Sequence, residues 1–210
     1  MVDKITSWKY AEDFVDESDA MLRARARAEE LGIECITAAT GAHLALVVSA
    51  LGAKAIVEAG TGSGLSGLWL LSGNKQAVLA TIDSEGDHLT AAKASFKDGK
   101  IASTRTRVIH GRAAEVMSNM ADAAYDLVFL DADRETLEEQ IREASRLLRP
   151  GGIIAVAHAL WRDRVPDPAI RDETTNIYRD AMRFFVNNDD FITTLSPIGD
   201  GLLLASKHTL

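Results

Sequence analysis

The chain has 210 residues, 47% of them hydrophobic, with 31 acidic against 23 basic side chains and a net charge of −8. That length and apolar share suit one buried core, so a single domain over 1–210 is expected. The acid excess argues against a nucleic-acid acceptor, because phosphate contacts need clustered lysine and arginine. The one cysteine, Cys35, excludes an internal disulfide. The first ten residues lack the apolar run of a secretory signal, and no apolar stretch is long enough to cross a bilayer. A reducing cytoplasm and no membrane partner are therefore expected.

In chain order, residues 9–31 read as one amphipathic helix, with Phe14, Leu22 and Leu31 among polar neighbours and Gly32 as a stop. Its Arg-Ala alternation at 23–27 spreads arginines around the helix and reads as a solvated surface. Residues 41–51 give a second, more apolar helix. The first fifty residues thus form a helical cap (1–50) on a core spanning 55–210. That core opens with a short apolar strand, 55–60, ending in glycine. Helix 63–71, strand 77–83, helix 85–99, strand 106–110, helix 113–120 and strand 125–133 follow. Helix 135–148 stops at Arg-Pro-Gly-Gly (149–152), ahead of strand 152–156 and helix 170–187. Strands 191–197 and 201–207 flank a Gly-Asp-Gly turn, whose shortness favours an antiparallel hairpin on one sheet edge. The alternation specifies an α/β, Rossmann-like fold: a mostly parallel seven-stranded sheet with helices on both faces.

The sharpest feature is Val-Glu-Ala-Gly-Thr-Gly-Ser-Gly-Leu-Ser-Gly at 57–67. A strand runs through glycines straight into a helix, where α/β sheets bind ligands. Gly60 and Gly62 allow a tight turn and close approach of backbone to ligand. The following helix start offers unpaired N–H groups. Strand two ends at Asp83, whose carboxylate can accept both ribose hydroxyls of an adenosine, although a helix cap or surface acid is the plainer alternative. Residues 62–67 satisfy the dinucleotide fingerprint, but out of register: counted from Gly60, the third glycine falls on Leu65. Glu58 would repel a pyrophosphate and suits a cofactor bearing an ammonium and a sulfonium.

Tyr-Asp-Leu-Val-Phe-Leu-Asp-Ala-Asp (125–133), a helix, and then Leu-Leu-Arg-Pro-Gly-Gly-Ile-Ile-Ala-Val (147–156) is the layout of class I methyltransferases. Across nearly its whole length the chain resembles the catechol and caffeoyl-CoA O-methyltransferase superfamily, especially its small bacterial members. The stretches that carry the resemblance include ITAATGAHLALV, VEAGTGSGLSGLWLL, TIDSE, GRAAEVM, YDLVFLDADRE, RLLRPGGIIAVAHALWRDRVPDP and IGDGLL. It implies S-adenosylmethionine as cofactor, a small hydroxylated, phenolic acceptor, and a homodimer. It also implies cofactor contacts: Ile36 at the methionyl end, Glu58 near the amino group, Gly60, Thr61, Gly62 and Ser66 along the loop, Asp83 at the ribose, Ala113 beside adenine, and Asp131 near the reacting methyl. For Asp131 a plain strand-end acid is the alternative.

The acceptor side departs from the family. Members usually read Asp-Ala-Asp-Lys and then Val-Val-Asp-Asn-x-Leu-Trp, and these motifs together hold a divalent cation. Here the chain reads Asp-Ala-Asp-Arg (131–134) and Ala-Val-Ala-His-Ala-Leu-Trp (155–161). Ala157 removes a carboxylate, His158 replaces the asparagine, Arg134 replaces a lysine often assigned as base, and Leu137 stands where a tyrosine is common. A hard cation wants oxygen ligands, so the metal site is expected to be degenerate. Arg134 stays protonated and cannot be a base, but it can orient an acidic substrate. His158 is placed to take the acceptor's proton, worth roughly 10²–10⁴ in rate, against the alternative of a spacer histidine. His110 reads as structural. The acceptor pocket is expected from residues 8–14, 161–167 and the terminal hairpin. Two readings outside this one are a binding protein without catalysis and, against Glu58 and the Arg-Pro-Gly-Gly layout, an NAD(P)-dependent oxidoreductase.

Overall fold

A computed structural model describes residues 4–209; residues 1–3 of the expected cap, and residue 210, lie outside the described residues. The expected α/β architecture is present. Seven strands form one sheet in the order β3-β2-β1-β4-β5-β7-β6. They are β1 (Ala55–Ala59), β2 (Val78–Asp83), β3 (Thr106–His110), β4 (Tyr125–Leu130), β5 (Leu148–Val156), β6 (Phe191–Ser196) and β7 (Leu202–Lys207). The first five pair in parallel, and β7 joins β5 and β6 antiparallel, as the short turn between the last two strands requires. β5 starts earlier than expected: Leu148 pairs with Tyr125, and the register shifts before Leu127 pairs with Ile153. The Arg-Pro-Gly-Gly segment is thus taken into the strand as an irregularity, with Gly151 at φ 76°.

Alternation along the strands divides the core between the two faces. Val57, Val128, Leu130, Ile154 and Val156 face one side, together with α6 (Ala113–Ser118), α7 (Leu137–Leu147) and α8 (Glu173–Val186). Ile56, Leu127, Phe129 and Ala155 face the other, with α2 (Asp19–Leu31), α3 (Ala38–Leu51), α4 (Leu65–Gly73) and α5 (Gly86–Asp98).

The N-terminal region differs from its expectation in two respects. The single helix over 9–31 is in fact two, α1 (Lys4–Glu12) and α2, because Ser18 sits in an extended conformation and caps α2 by accepting the Met21 N–H. The expected apolar face is not the buried one either. Phe14, Leu22 and Leu31 are exposed, while Met21, Ala24 and Ala28 are buried. A face of mostly small residues lets α2 lie close against its neighbours. Its arginines are then not free in solvent as expected. Arg25 makes a two-pronged pair with Glu17 and also donates to the Ile36 carbonyl (2.9 Å). Arg23 and Arg27 share Asp98 of α5. No described helix is long and apolar enough to cross a membrane.

Candidate functional site

The strand order reverses between β1 and β4, and a crevice opens at the carboxyl ends there. It has a volume of about 450 Å³, within the usual range for small-molecule sites. Ile36, Gly60, Thr61, Gly62, Ser66, Asp83, Ala113 and Asp131, eight of the residues anticipated for the cofactor, line it. The loop leaves β1 at Gly60 with φ 94°, a left-handed conformation that suits glycine. Space also demands glycine there: a Cβ on Gly60 would lie 2.0 Å from the Asp131 carbonyl oxygen. The close approach brings the β1 loop onto the end of β4, and Asp131 N–H donates to the Ala59 carbonyl at 2.8 Å.

Asp83 braces this loop. Its Oδ2 accepts the Gly62 N–H (2.9 Å) and its Oδ1 accepts the Glu85 N–H (2.9 Å), while His88 Nδ1 lies 3.1 Å from Oδ1. The carboxylate is thus fixed facing the crevice. His88, which the sequence reading did not single out, shares that wall.

Glu58 lies below the loop and is fully buried, outside the crevice lining. Its Oε2 accepts the Thr81 hydroxyl (2.6 Å), which meets the Thr61 hydroxyl at 2.7 Å. Oε1 accepts no hydrogen bond among the described residues. Burial pushes the Glu58 pKa up to about 7; the Ser66 and Thr81 hydroxyls oppose that rise and the Asp131 and Asp83 charges add to it. A buried carboxyl oxygen without a donor, beneath a glycine cradle, fits a ligand bearing a cationic or hydrogen-bond-donating head.

A second cavity, of about 640 Å³, adjoins the first. Glu34, Cys35 and Ile36 line both. Trp8, Arg162, Asp163 and the 197–201 turn belong to it, drawn from the three segments expected to shape an acceptor pocket, although Tyr10 and Phe14 stand exposed outside it. Trp8 Nε1 donates to the Pro197 carbonyl (3.2 Å) and Glu12 Oε1 accepts the Gly199 N–H (2.6 Å), which fastens α1 over the cavity.

His158 stands where the two cavities meet. Its Nε2 is 3.3 Å from Asp131 Oδ1 and its Nδ1 is 3.3 Å from Asp200 Oδ2. Burial works against the charged ring, but the two carboxylates outweigh it and push the pKa up to about 9. His158, Trp161, Arg162 and Asp163 all have left-handed φ values, at about 1–2 kcal/mol each. The loop keeps that conformation because the 200–201 backbone holds it: Asp200 and Gly201 carbonyls accept the Leu160 and Ala159 N–H groups, and Asp200 Oδ1 accepts the Arg162 N–H. Asp200 was legible only as part of a hairpin turn. Nothing in the linear pattern set it beside His158, 42 residues earlier.

Arg134 is not among the residues lining either cavity; its guanidinium lies 4.1 Å from the Trp161 ring centroid. Arg162 lines the second cavity instead and pairs with Glu34 at 2.8 Å. His110 Nε2 meets the Ser84 carbonyl at 2.8 Å at the edge of the sheet. The donor set around Asp131 does not fit a divalent metal. Ala157 contributes only a buried methyl, and no cluster of three or more His, Cys, Asp or Glu groups suited to a cation exists among the described residues.

A family profile described as O-methyltransferase matches residues 12–208. The chain belongs to the O-methyltransferase family. Its fold is the Rossmann-like one expected of that family. A Mycobacterium tuberculosis protein named as an O-methyltransferase is 44% identical over 201 residues, covering 95% of this chain and 90% of its own. A counterpart from Mycobacterium avium is 45% identical over 199 residues, covering 94% and 90%. Among solved structures, a Corynebacterium glutamicum protein superposes with a TM-score of 0.90 at 28% identity, covering 99% of both chains. The O-methyltransferase TomG of Streptomyces achromogenes, solved with S-adenosylmethionine, gives 0.85 at 23% identity over 99% of this chain and 100% of its own.

Proposed function

We propose that this O-methyltransferase methylates a small phenolic hydroxyl without a divalent metal. The observation that carries the reading is the pair of adjoining cavities, one braced by Gly60 and Asp83, the other walled by Trp8, with Asp131 and His158 between them. S-adenosylmethionine, when bound, supplies an electrophilic methyl group on a sulfonium. Asp83 would hold its ribose hydroxyls, Glu58 would lie towards its amino end, and Ala113 and Ile36 would wall its adenine and methionyl ends. Trp8 and Leu160 pack the acceptor ring, and the shared wall aligns its hydroxyl with the methyl, which is the main requirement of an in-line displacement. The C–S bond breaks as the O–CH3 bond forms, the sulfonium becomes a thioether, and one proton leaves the acceptor.

Within the same reading, the chain is one domain whose first fifty residues cap a core over 55–210, and it works in the cytoplasm as a homodimer. The deciding experiment is turnover of S-adenosylmethionine with a panel of phenols and catechols, with and without EDTA, after calorimetry has shown cofactor binding. Methyl transfer undiminished by EDTA is expected. Binding without turnover across the panel favours a non-catalytic cofactor-binding protein, and turnover abolished by EDTA overturns the metal-free reading.

A further inference from the structure

We propose that His88 shares with Asp83 the reading of the cofactor's ribose, one residue for each hydroxyl of the diol. This deepens the cofactor reading above and rests on it. A carboxylate only accepts hydrogen bonds, and it has about four lone-pair sites. Asp83 has already filled most of its own. Oδ2 accepts the Gly62 N–H at 2.9 Å, Oδ1 accepts the Glu85 N–H at 2.9 Å, and His88 Nδ1 straddles both oxygens at 3.1 and 3.3 Å. A vicinal diol brings two further donors, and Asp83 has room for one of them.

The ring of His88 has the capacity that Asp83 lacks. Because the carboxylate cannot donate, Nδ1 carries the proton, and Nε2 is the ring's remaining polar atom. His88 lines the crevice beside Asp83, and its Nε2 makes no hydrogen bond among the described residues. A hydroxyl both donates and accepts, so it can meet Nε2 whether or not that nitrogen carries a proton. Other polar groups near this wall are engaged elsewhere. The Ser84 hydroxyl donates to Glu85 Oε1 at 3.4 Å, and His110 Nε2 lies 2.8 Å from the Ser84 carbonyl. Arg112 stands 3.8 Å from both Glu115 and Asp133.

Local structure puts the ring there. β2 ends at Asp83, whose Oδ1 accepts the N–H two residues on and so turns the chain into α5, which begins at Gly86. The first turn of that helix returns His88 to the carboxylate, while Leu89 and Ala92 are buried. The Asp83 and His88 side chains are only 9% and 26% exposed, so water competes weakly with a ribose for them. A ligand lacking one hydroxyl would leave a polar atom of the pair without a partner.

The test is calorimetric titration of the full chain with S-adenosylhomocysteine and its 2′-deoxy and 3′-deoxy analogues, in the wild type, H88N and H88Q. Binding of the parent to the wild type checks the cofactor reading, and the comparison across variants checks His88. Asparagine sets an amide nitrogen near the place of Nδ1, so it keeps the brace on Asp83 and removes Nε2; glutamine sets one near the place of Nε2. The wild type is expected to bind each analogue roughly fivefold more weakly than the parent, the worth of one hydrogen bond. In H88N the parent weakens by a similar factor, one analogue loses nothing further, the other keeps its penalty, and H88Q recovers most of the parent's affinity. H88F, which keeps a flat ring without nitrogens, should give the H88N pattern and serves if H88N does not fold. A histidine that only supports the fold would weaken all three ligands alike and leave both penalties in place. That result, or loss of both penalties at once, overturns the proposal. A wild type that does not bind the parent overturns the cofactor reading and the proposal together.

Discussion

Replacing Gly60 with alanine would set a Cβ 2.0 Å from the Asp131 carbonyl oxygen, 2.5 Å from its carbon and 3.0 Å from the Ala132 nitrogen. All three are main-chain atoms, so no rotamer change relieves the overlap. The backbone already has φ 94°, which costs a non-glycine residue about 1–2 kcal/mol. Separating the two segments also threatens the hydrogen bond from Asp131 N–H to the Ala59 carbonyl, worth a further ~1 kcal/mol. The sum is about 2–3 kcal/mol, equivalent to a fall in Tm of roughly 4–12 °C for a domain of this size. Gly62→Ala is the internal control. Its φ is 48° and the nearest atom to a new Cβ is Ile33 Cγ2 at 3.4 Å, so only the backbone term of about 1 kcal/mol applies. Calorimetric unfolding and cofactor titration of both variants should show Gly60→Ala several degrees below Gly62→Ala and binding S-adenosylmethionine at least tenfold more weakly than it. Equal Tm and equal affinity in the two variants would refute the reasoning from close approach.

Glu58 gives a pH signature. Its folded pKa is raised above the unfolded value, so its stabilising contribution is complete below about pH 4.5 and is lost as pH rises through about 7. The cofactor-free protein should lose up to roughly 3 kcal/mol over that window, and Glu58→Gln should flatten the curve of Tm against pH. Ser18→Ala removes the cap of α2 and should cost about 1 kcal/mol, or roughly 2–4 °C in Tm, with the first strands undisturbed by hydrogen exchange. Glu34→Gln breaks the pair with Arg162, but both side chains are about half exposed, so a change below ~1 kcal/mol is expected in urea unfolding.

The glycine crevice of this protein was legible in its sequence because local rules determine it. Glycines at 60 and 62 follow an apolar strand, an acid ends the next strand, and strand ends in a parallel sheet converge on one edge whatever the loops do. The same local logic gave the terminal hairpin. Sequence periodicity misjudged α2, where it counted Leu22 and Leu31 as inward and the helix instead turned its alanines to the core. Propensity alone cannot tell which face neighbours will cover. The tertiary structure alone decided the chemistry at His158. It set the ring between Asp131 at the end of β4 and Asp200 in the β6–β7 turn, two residues 69 positions apart that come together because β7 returns antiparallel beside β5. A side chain's protonation state follows from what surrounds it in space, and one-dimensional spacing does not record that.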